Sequence, residues 1–385
     1  MKKIISVILA VVMVAMMLAA CGSSGSSTAT AASTADNSSS TAEATTTTGG
    51  DAFKMGLSIW GTSDNHGRYV AQAAQWCEAL GGTVVVDVAQ GFTIEAQITS
   101  IENLIQSGVN MLTFCAYAGE SSIPKISQLC QENQVYFAIW DTTITDPEIQ
   151  AMVDANPYYC GNTNEDQEAA GYLEVKTLAD KGAKNFVLFK YAVGVATCDE
   201  REAGALKAIE ELGLNNVYTI VAPDDAKKAV QDVLTNYPEV DAIVALGSTA
   251  SYVTPAIQAI DAVGRKGQVY TAGIDFSDTM GSEIANGDLT MVLGGHIVTS
   301  HFANLMCISA FRGNPINPDK KQLVIPYLSI TSQEDIDNYN KYITGDTPPY
   351  TKEEMEDCIT DKTFDQFQEI VSQYSIEDVV ARHGA

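Results

Sequence analysis

From residue 54 to about residue 330, short apolar runs alternate with longer stretches in which apolar residues recur every three or four positions. The early runs, 55–60, 83–88, 111–116 and 135–140, are apolar almost throughout. That suits parallel strands covered on both faces rather than strands with one wet face. Between them, Val70, Ala73, Cys77 and Leu80 share one helical face, and Gly81-Gly82 end it. Ile94, Ile98, Ile101 and Ile105 share another, with Thr93 placed as its N-cap. A third helix is predicted near 123–131, entered through Ser121-Ser122. Residues 141–157, with Asp-Pro and Asn-Pro pairs, read as a connection.

A second series opens at Tyr158. It predicts helices at 165–181, 198–212, 224–236, 251–263 and 279–285, interleaved with strands at 186–190, 217–221, 241–246, 268–273 and 289–293. Helix 297–311 and strand 323–327 follow. Two consecutive strand–helix series predict an α/β chain with two doubly wound domains. Residues 331–385 change character, being acidic and Tyr-rich with Pro348-Pro349. They are too few for a third domain. Two short helices are predicted there, at 352–358 and 364–374, packing across the other two domains.

The N-terminus has a different pattern. Lys2 and Lys3 precede an apolar run from 4 to 18, closed by Leu18-Ala19-Ala20-Cys21. The run is shorter than the roughly 20 residues of a membrane span and has the form of a secretory signal. The closing tetrapeptide resembles a bacterial lipobox, which makes Cys21 the lipidation site and mature N-terminus. Residues 22–52 are nearly all Ser, Thr, Ala and Gly up to residue 50, and cannot bury enough apolar surface to offset their ordering entropy. They read as a tether between a lipid-anchored terminus and an extracytoplasmic body.

The formal net charge is -26, nearer -28 once Lys2 and Lys3 are removed. Such acidity argues against nucleic acid or an anionic membrane surface as partner, leaving the lipid as the only membrane contact. None of the eight cysteines forms a Cys-x-x-Cys pair. Cys77, Cys115 and Cys130 read as small buried hydrophobes, and one disulfide among the others stays open. The chain lacks a Gly-x-Gly-x-x-Gly, a Walker-type loop and a Gly-x-Ser-x-Gly elbow. His296 and His301 are five apart, which does not suit a metal on one helix face. Neither cofactor, metal nor catalytic residue is expected.

The candidate chemistry lies at the predicted C-terminal ends of strands, where open α/β sheets bind ligands. Trp60, Asp64, Asn65, His66 and Arg68 follow the first strand, Tyr117 and Glu120 the third, and Trp140 and Asp141 the fourth. Asn162, Asn164, Tyr191, Arg201 and Asp275 occupy comparable places in the second half. Aromatic faces with Asp, Asn and Arg suit a polyhydroxylated ligand, stacking on its apolar face and bridging its hydroxyls. Each has a plainer reading. Trp60 and Trp140 can be core, Asp141 and Asp275 turn residues, Asp64 and Asn65 helix caps, and Arg201 a solvated helix face. His66 fits a cap as well as a ligand contact.

Seven segments together resemble the type 1 periplasmic-binding-protein superfamily, in particular sugar-binding lipoproteins of ABC importers similar to ribose-binding protein. They are the lipobox, the Gly56-Leu57-Ser58-Ile59 strand with its loop, residues 104–110, 136–141 and 198–204, Ala272-Gly273-Ile274-Asp275, and residues 284–289. The resemblance covers about 54–330. It implies two Rossmann-like lobes joined by three crossings, near 159–162, 293–296 and 326–329, with a ligand between them. The lobes would be 53–160 with 296–326, and 161–295, with 327–385 packed on both. Asp141, Arg201 and Asp275 match positions that bind sugar hydroxyls. The chain departs from the family pattern at Asp64-Asn65-His66, at Gly247-Ser248 in place of a common Asn, and at Gly295 beside His296. The resemblance therefore implies a monomeric, non-enzymatic binder of a small polar ligand, a sugar other than the commonest pentose, delivered to an ABC permease. Sensing through a membrane receptor or kinase, or binding of a non-sugar solute, is the alternative.

Overall fold

The computed structural model describes residues 52–61, 65–344 and 348–384. The expected signal, Cys21, the tether through residue 51, and Asp64 lie outside the described residues.

The first series runs β1 (Lys54–Ile59), α1 (Asn65–Ala79), β2 (Thr83–Val88), α2 (Ile94–Gln106), β3 (Met111–Phe114), α3 (Ile123–Asn133), β4 (Tyr136–Trp140), α4 (Pro147–Ala155) and β5 (Tyr159–Glu165). The second runs α5 (Gln167–Asp180), β6 (Asn185–Lys190), α6 (Ala196–Glu211), β7 (Asn215–Val221), α7 (Ala226–Asn236), β8 (Ala242–Ser248), α8 (Thr254–Ala262), β9 (Tyr270–Ile274), α9 (Met280–Ala285) and β10 (Met291–Gly294). Then come α10 (Val298–Phe311), β11 (Gln322–Ile325), β12 (Leu328–Ile330), α11 (Gln333–Tyr342), α12 (Lys352–Ile359), α13 (Phe364–Val371) and α14 (Ile376–His383).

The strands form two six-stranded sheets, ordered β11-β5-β4-β3-β1-β2 and β12-β10-β9-β8-β6-β7. Strand for strand the two orders correspond, so β4 is the counterpart of β9 and β5 of β10. All pairings are parallel except β10 with β12. Helices flank both sheets, giving two doubly wound lobes. The chain passes between them after β5, between β10 and α10, and between β11 and β12. The first passage lies near 165–167 rather than 159–162, because β5 stays paired with β4 as far as Thr163 and with β11 as far as Glu165. The expected lobe boundary at 160/161 thus falls inside a strand of the first sheet.

Other differences have local causes. Asp146-Pro147 starts a helix rather than a turn: the Asp146 carboxylate accepts from the Glu148 N–H, and Pro147 occupies the first turn, where its missing donor costs nothing. Among its described residues the tail forms four helices rather than two. Ser332, Thr351 and Thr363 each open one with a reciprocal capping box.

The tail touches both lobes. α11 packs on α9 of the second, α12 on α10 and α13 on β11 of the first. Its buried Tyr350, Met355, Phe367, Val371, Tyr374 and Val379 belong to the same core cluster as Met55, Leu57 and Phe302 of the first lobe. α10 is buried from Val298 to Ala310 because it lies between the first sheet and this tail. The seven described cysteines are buried free thiols. No helix among the described residues is long and apolar enough to cross a membrane.

Candidate functional site

Two aspartates occupy equivalent places in the two sheets. Asp141 is one residue past β4, and Asp275 one past β9. Both have left-handed backbones, with φ of 51° and 71°. Each N–H bonds the adjacent strand at 2.8 Å, Asp141 to Thr163 O and Asp275 to Leu293 O. Aspartate tolerates this conformation better than most residues, and backbone held there costs free energy that functional sites commonly retain. Both carboxylates stand at the C-terminal edges of their sheets.

The three crossings meet between them. His296, on the second crossing, places Nε2 3.7 Å from Asp275 Oδ1. Single ligand-type atoms of Asp141, Glu165 and His296 all lie within 4.8 Å of one another, close enough to hold a cation in common. Burial, then the neighbouring Asp141 carboxyl, pushes the Glu165 carboxyl well above its usual range, and Arg201 only partly offsets this. Burial likewise pushes the Glu174 carboxyl well above its usual range, with Arg201 opposing and Asp275 adding to it; neither of its carboxyl oxygens has a hydrogen-bond partner among the described residues.

Arg201 is buried on α6 rather than solvated. Its Nε donates to Gln167 Oε1 at 2.7 Å, Nη1 to Leu246 O at 3.1 Å, and Nη2 to the Tyr327 hydroxyl at 2.8 Å. Burial opposes its charge, but Tyr327, Asp275 and Tyr191 around it outweigh that and raise its pKa. Arg201 can be there because α5 and α6 cross backbone to backbone. A Cβ on Gly171 would collide with Arg201 O, and one on Gly204 with Glu168 O. Glu165, Gln167, Glu174 and Tyr327 did not stand out in the sequence. Three of them lie on or beside crossings, and of those three only Tyr327, directly after Leu323-Val324-Ile325-Pro326, follows an apolar stretch.

The remaining candidates distribute as follows. Trp60 and Trp140 have ring centroids 6.1 Å apart, and Trp60 and Tyr117 5.5 Å. Asn162 and Asn164 lie on one face of β5 and donate to Thr142 O at 2.6 Å and Thr143 Oγ1 at 2.7 Å. Their amides thus hold the chain just after Asp141, and each Oδ1 lacks a partner among the described residues. Tyr191 meets Thr197 Oγ1 at 2.7 Å, and its ring occupies the space where a Cβ on Gly247 would fall. Glu120 braces the start of α4 through Thr145 and Asp146. Asn65, His66 and Arg68 are backbone positions in the first turns of α1. Together Asp141, Glu165, Arg201, Asp275 and His296 present acceptors and donors from both lobes to one small volume, an arrangement suited to a ligand with several hydroxyls.

The family model described as periplasmic binding protein domain matches residues 55–297. The chain is 29% identical over 231 residues to a D-xylose-binding periplasmic protein of Escherichia coli (strain K12). That match covers 56% of this chain and 64% of the relative, so the chain spans just under two thirds of that protein's length. A periplasmic solute-binding protein of an ABC transporter from Actinobacillus succinogenes 130z, solved with bound D-allose, superposes with a TM-score of 0.65 at 20% identity, covering 74% of this chain and 99% of that one. A periplasmic ribose ABC transporter structure from Conexibacter woesei DSM 14684 gives 0.64 at 17% identity, covering 76% and 95%. At these identities the structural likeness is one of fold.

Proposed function

The chain belongs to the periplasmic-binding-protein domain family, a family of solute-binding proteins rather than enzymes, and from that premise we propose that it captures a small sugar between its lobes and presents it to the permease of an ABC importer. It is held outside the cytoplasm by lipid on Cys21 and acts as a monomer. The carrying observation is that Asp141 of the first lobe and Asp275 of the second both approach His296. A ligand bridging the three touches both lobes, and contacts made in only one arrangement of the lobes shift their equilibrium toward it. The relatives named above, with D-xylose, D-allose and ribose in their descriptions, support a sugar.

Titration calorimetry and thermal shift against D-xylose, D-ribose, D-allose and myo-inositol, with amino acids and nucleosides as contrast, test this. Saccharide binding that raises the melting midpoint, and that weakens in both Asp141→Asn and Asp275→Asn, is expected. Binding of an amino acid or nucleoside alone, or full saccharide affinity in both variants, overturns the reading.

A further inference from the structure

Asp141 does not stand alone at the floor of the cleft. Glu165, the last residue of β5, lies beside it, and the two carboxyls share a hydrogen bond. Glu165 is 2% exposed. Its Oε2 accepts from Gln167 Nε2 at 3.1 Å, while Oε1 is buried and meets no donor among the described residues. Two carboxyls facing each other away from water need something positive between them, a proton or a cation. In the unliganded chain it is a proton: burial first, then Asp141, pushes the Glu165 carboxyl well above its usual range.

The charge around this pair is lopsided. The groups that face it are Cys115 directly after β3, His296 on the second crossing, Tyr327 on the third and Arg201 on α6, with Asp275 beyond His296. Arg201 is the one permanent cation among these, and Gln167, Leu246 O and Tyr327 already hold it by three hydrogen bonds. A neutral ring needs acceptors for its hydroxyls, which Asp141 and Asp275 supply. It gives no reason for a further carboxyl buried at the same point. A hydroxyl also has one proton to donate, whereas a primary ammonium has three. Ligand-type atoms of Asp141, Glu165 and His296 lie within 4.8 Å of one another, so one point exists no more than about 2.8 Å from all three, the length of a charge-assisted hydrogen bond.

We propose that Asp141, Glu165 and His296 hold the protonated amine of a single-ring amino sugar, which is the chemical class of the ligand. This rests on the reading of the cleft as a sugar site. The ammonium takes the place of the shared proton. R–NH3+ and the singly protonated Asp141–Glu165 pair give two carboxylates bridged by R–NH3+, and one proton leaves for solvent.

Calorimetry on the full chain, with EDTA present, tests it. The probes are D-glucosamine, D-galactosamine, D-mannosamine and 3-amino-3-deoxy-D-glucose, each against its neutral parent sugar, with N-acetyl-D-glucosamine as an uncharged control. At pH 6 at least one amine should bind about tenfold or more tighter than its parent. Runs in buffers of different ionisation enthalpy should show about one proton released per amine bound, and none with a neutral sugar. Glu165→Gln, shaped like the protonated acid, should abolish the proton release and lower amine affinity at least about tenfold more than affinity for the parent sugar. Its melting midpoint reports that it folds, and the wild-type proton count stands without it. Neutral parents that bind as tightly as every amine overturn the proposal while leaving the sugar cleft standing. So does amine binding without proton release, or an amine preference that Glu165→Gln keeps. In runs without EDTA, a neutral sugar that binds only with Zn2+ or Ca2+ makes the trio a metal site and also overturns it. Failure of every saccharide, charged or neutral, removes both readings.

Discussion

The Tyr327 hydroxyl accepts a 2.8 Å hydrogen bond from Nη2 of Arg201. It donates its own proton to Gln167 Oε1 at 3.0 Å, and that oxygen also accepts from Arg201 Nε. The Tyr327 ring meets His296 edge-on at 5.2 Å. Tyr327 belongs to the third crossing, His296 to the second, and Gln167 directly follows the first. One side chain therefore touches every connection between the lobes and the guanidinium beside the candidate ligand site.

Tyr327→Phe separates these contacts. It keeps the ring against His296 but leaves Arg201 Nη2 and Gln167 Oε1 short of a partner. A buried group left unsatisfied costs about 1–3 kcal/mol. The variant should lose roughly that in urea unfolding, and ligand affinity by about tenfold as Arg201 loses its fixed orientation. Unchanged affinity at reduced stability would make Tyr327 a hinge residue with no part in recognition.

Glu165 and Glu174 make stability depend on pH in a predictable direction. Both folded-state pKa values are raised well above the ordinary 4.5. The folded chain therefore holds protons that the unfolded chain releases. Their contribution is fully present below pH 4.5 and is lost as pH rises toward the folded values. Glu165→Gln with Glu174→Gln, each close in shape to the protonated acid, should gain melting temperature relative to wild type from pH 5 to pH 8. At pH 4 the two proteins should differ little. A constant gap across this range would mean that neither group stays protonated in the fold.

Much of the two-lobe frame was legible because buried parallel strands are written as apolar runs, and β1, β3, β4, β6 and β8 are such runs. Thr93 reads as an N-cap and is one, accepting from the Ala96 N–H at 3.2 Å. β5 was not legible. Its sequence, Tyr-Cys-Gly-Asn-Thr-Asn-Glu, is polar yet wholly buried. Tertiary partners satisfy it, as when Thr163 Oγ1 donates to Thr299 O at 2.9 Å. No local period reveals such a strand. The site divides the same way. Asp141 and Asp275 can be picked out as polar residues ending apolar strands. Gln167 and Tyr327 gain meaning only when separate crossings meet, and Gly171 and Gly204 only when two helices touch.

His301 sets the acid side of the stability profile. It is buried on α10, its ring centroid 3.9 Å from that of Trp76, and its Nε2 has no partner among the described residues. Burial lowers its pKa from 6.5 to about 3. The fold thus holds it neutral where the unfolded chain would protonate it. That stability is present above pH 6.5 and is lost as pH falls toward 3, by roughly 3 kcal/mol at pH 4.5. His301→Gln removes the titration. It should be less stable than wild type at pH 7, through altered packing, yet lose less stability between pH 7 and pH 4.5 in urea unfolding. Equal losses would show that His301 takes up its proton without unfolding.

The acidic tail should stiffen the hinge through Tyr374. This buried side chain, between α13 and α14, donates its hydroxyl to Gly295 O at 3.1 Å. Gly295 lies on the second crossing beside His296, with φ of 71°, and Leu328 of β12 fills the space a Cβ would need. The tail thus reaches the point where the lobes connect, from helices anchored on both of them. Tyr374→Phe removes the hydrogen bond and keeps the ring, so global stability should fall by only about 1 kcal/mol. Local opening should increase more than that around the crossing. Hydrogen exchange at amides 295–299 and 328–330 should quicken, while amides of β6 and β8 keep their protection. If exchange rises uniformly across both sheets, the bond contributes to overall stability and does not brace the hinge.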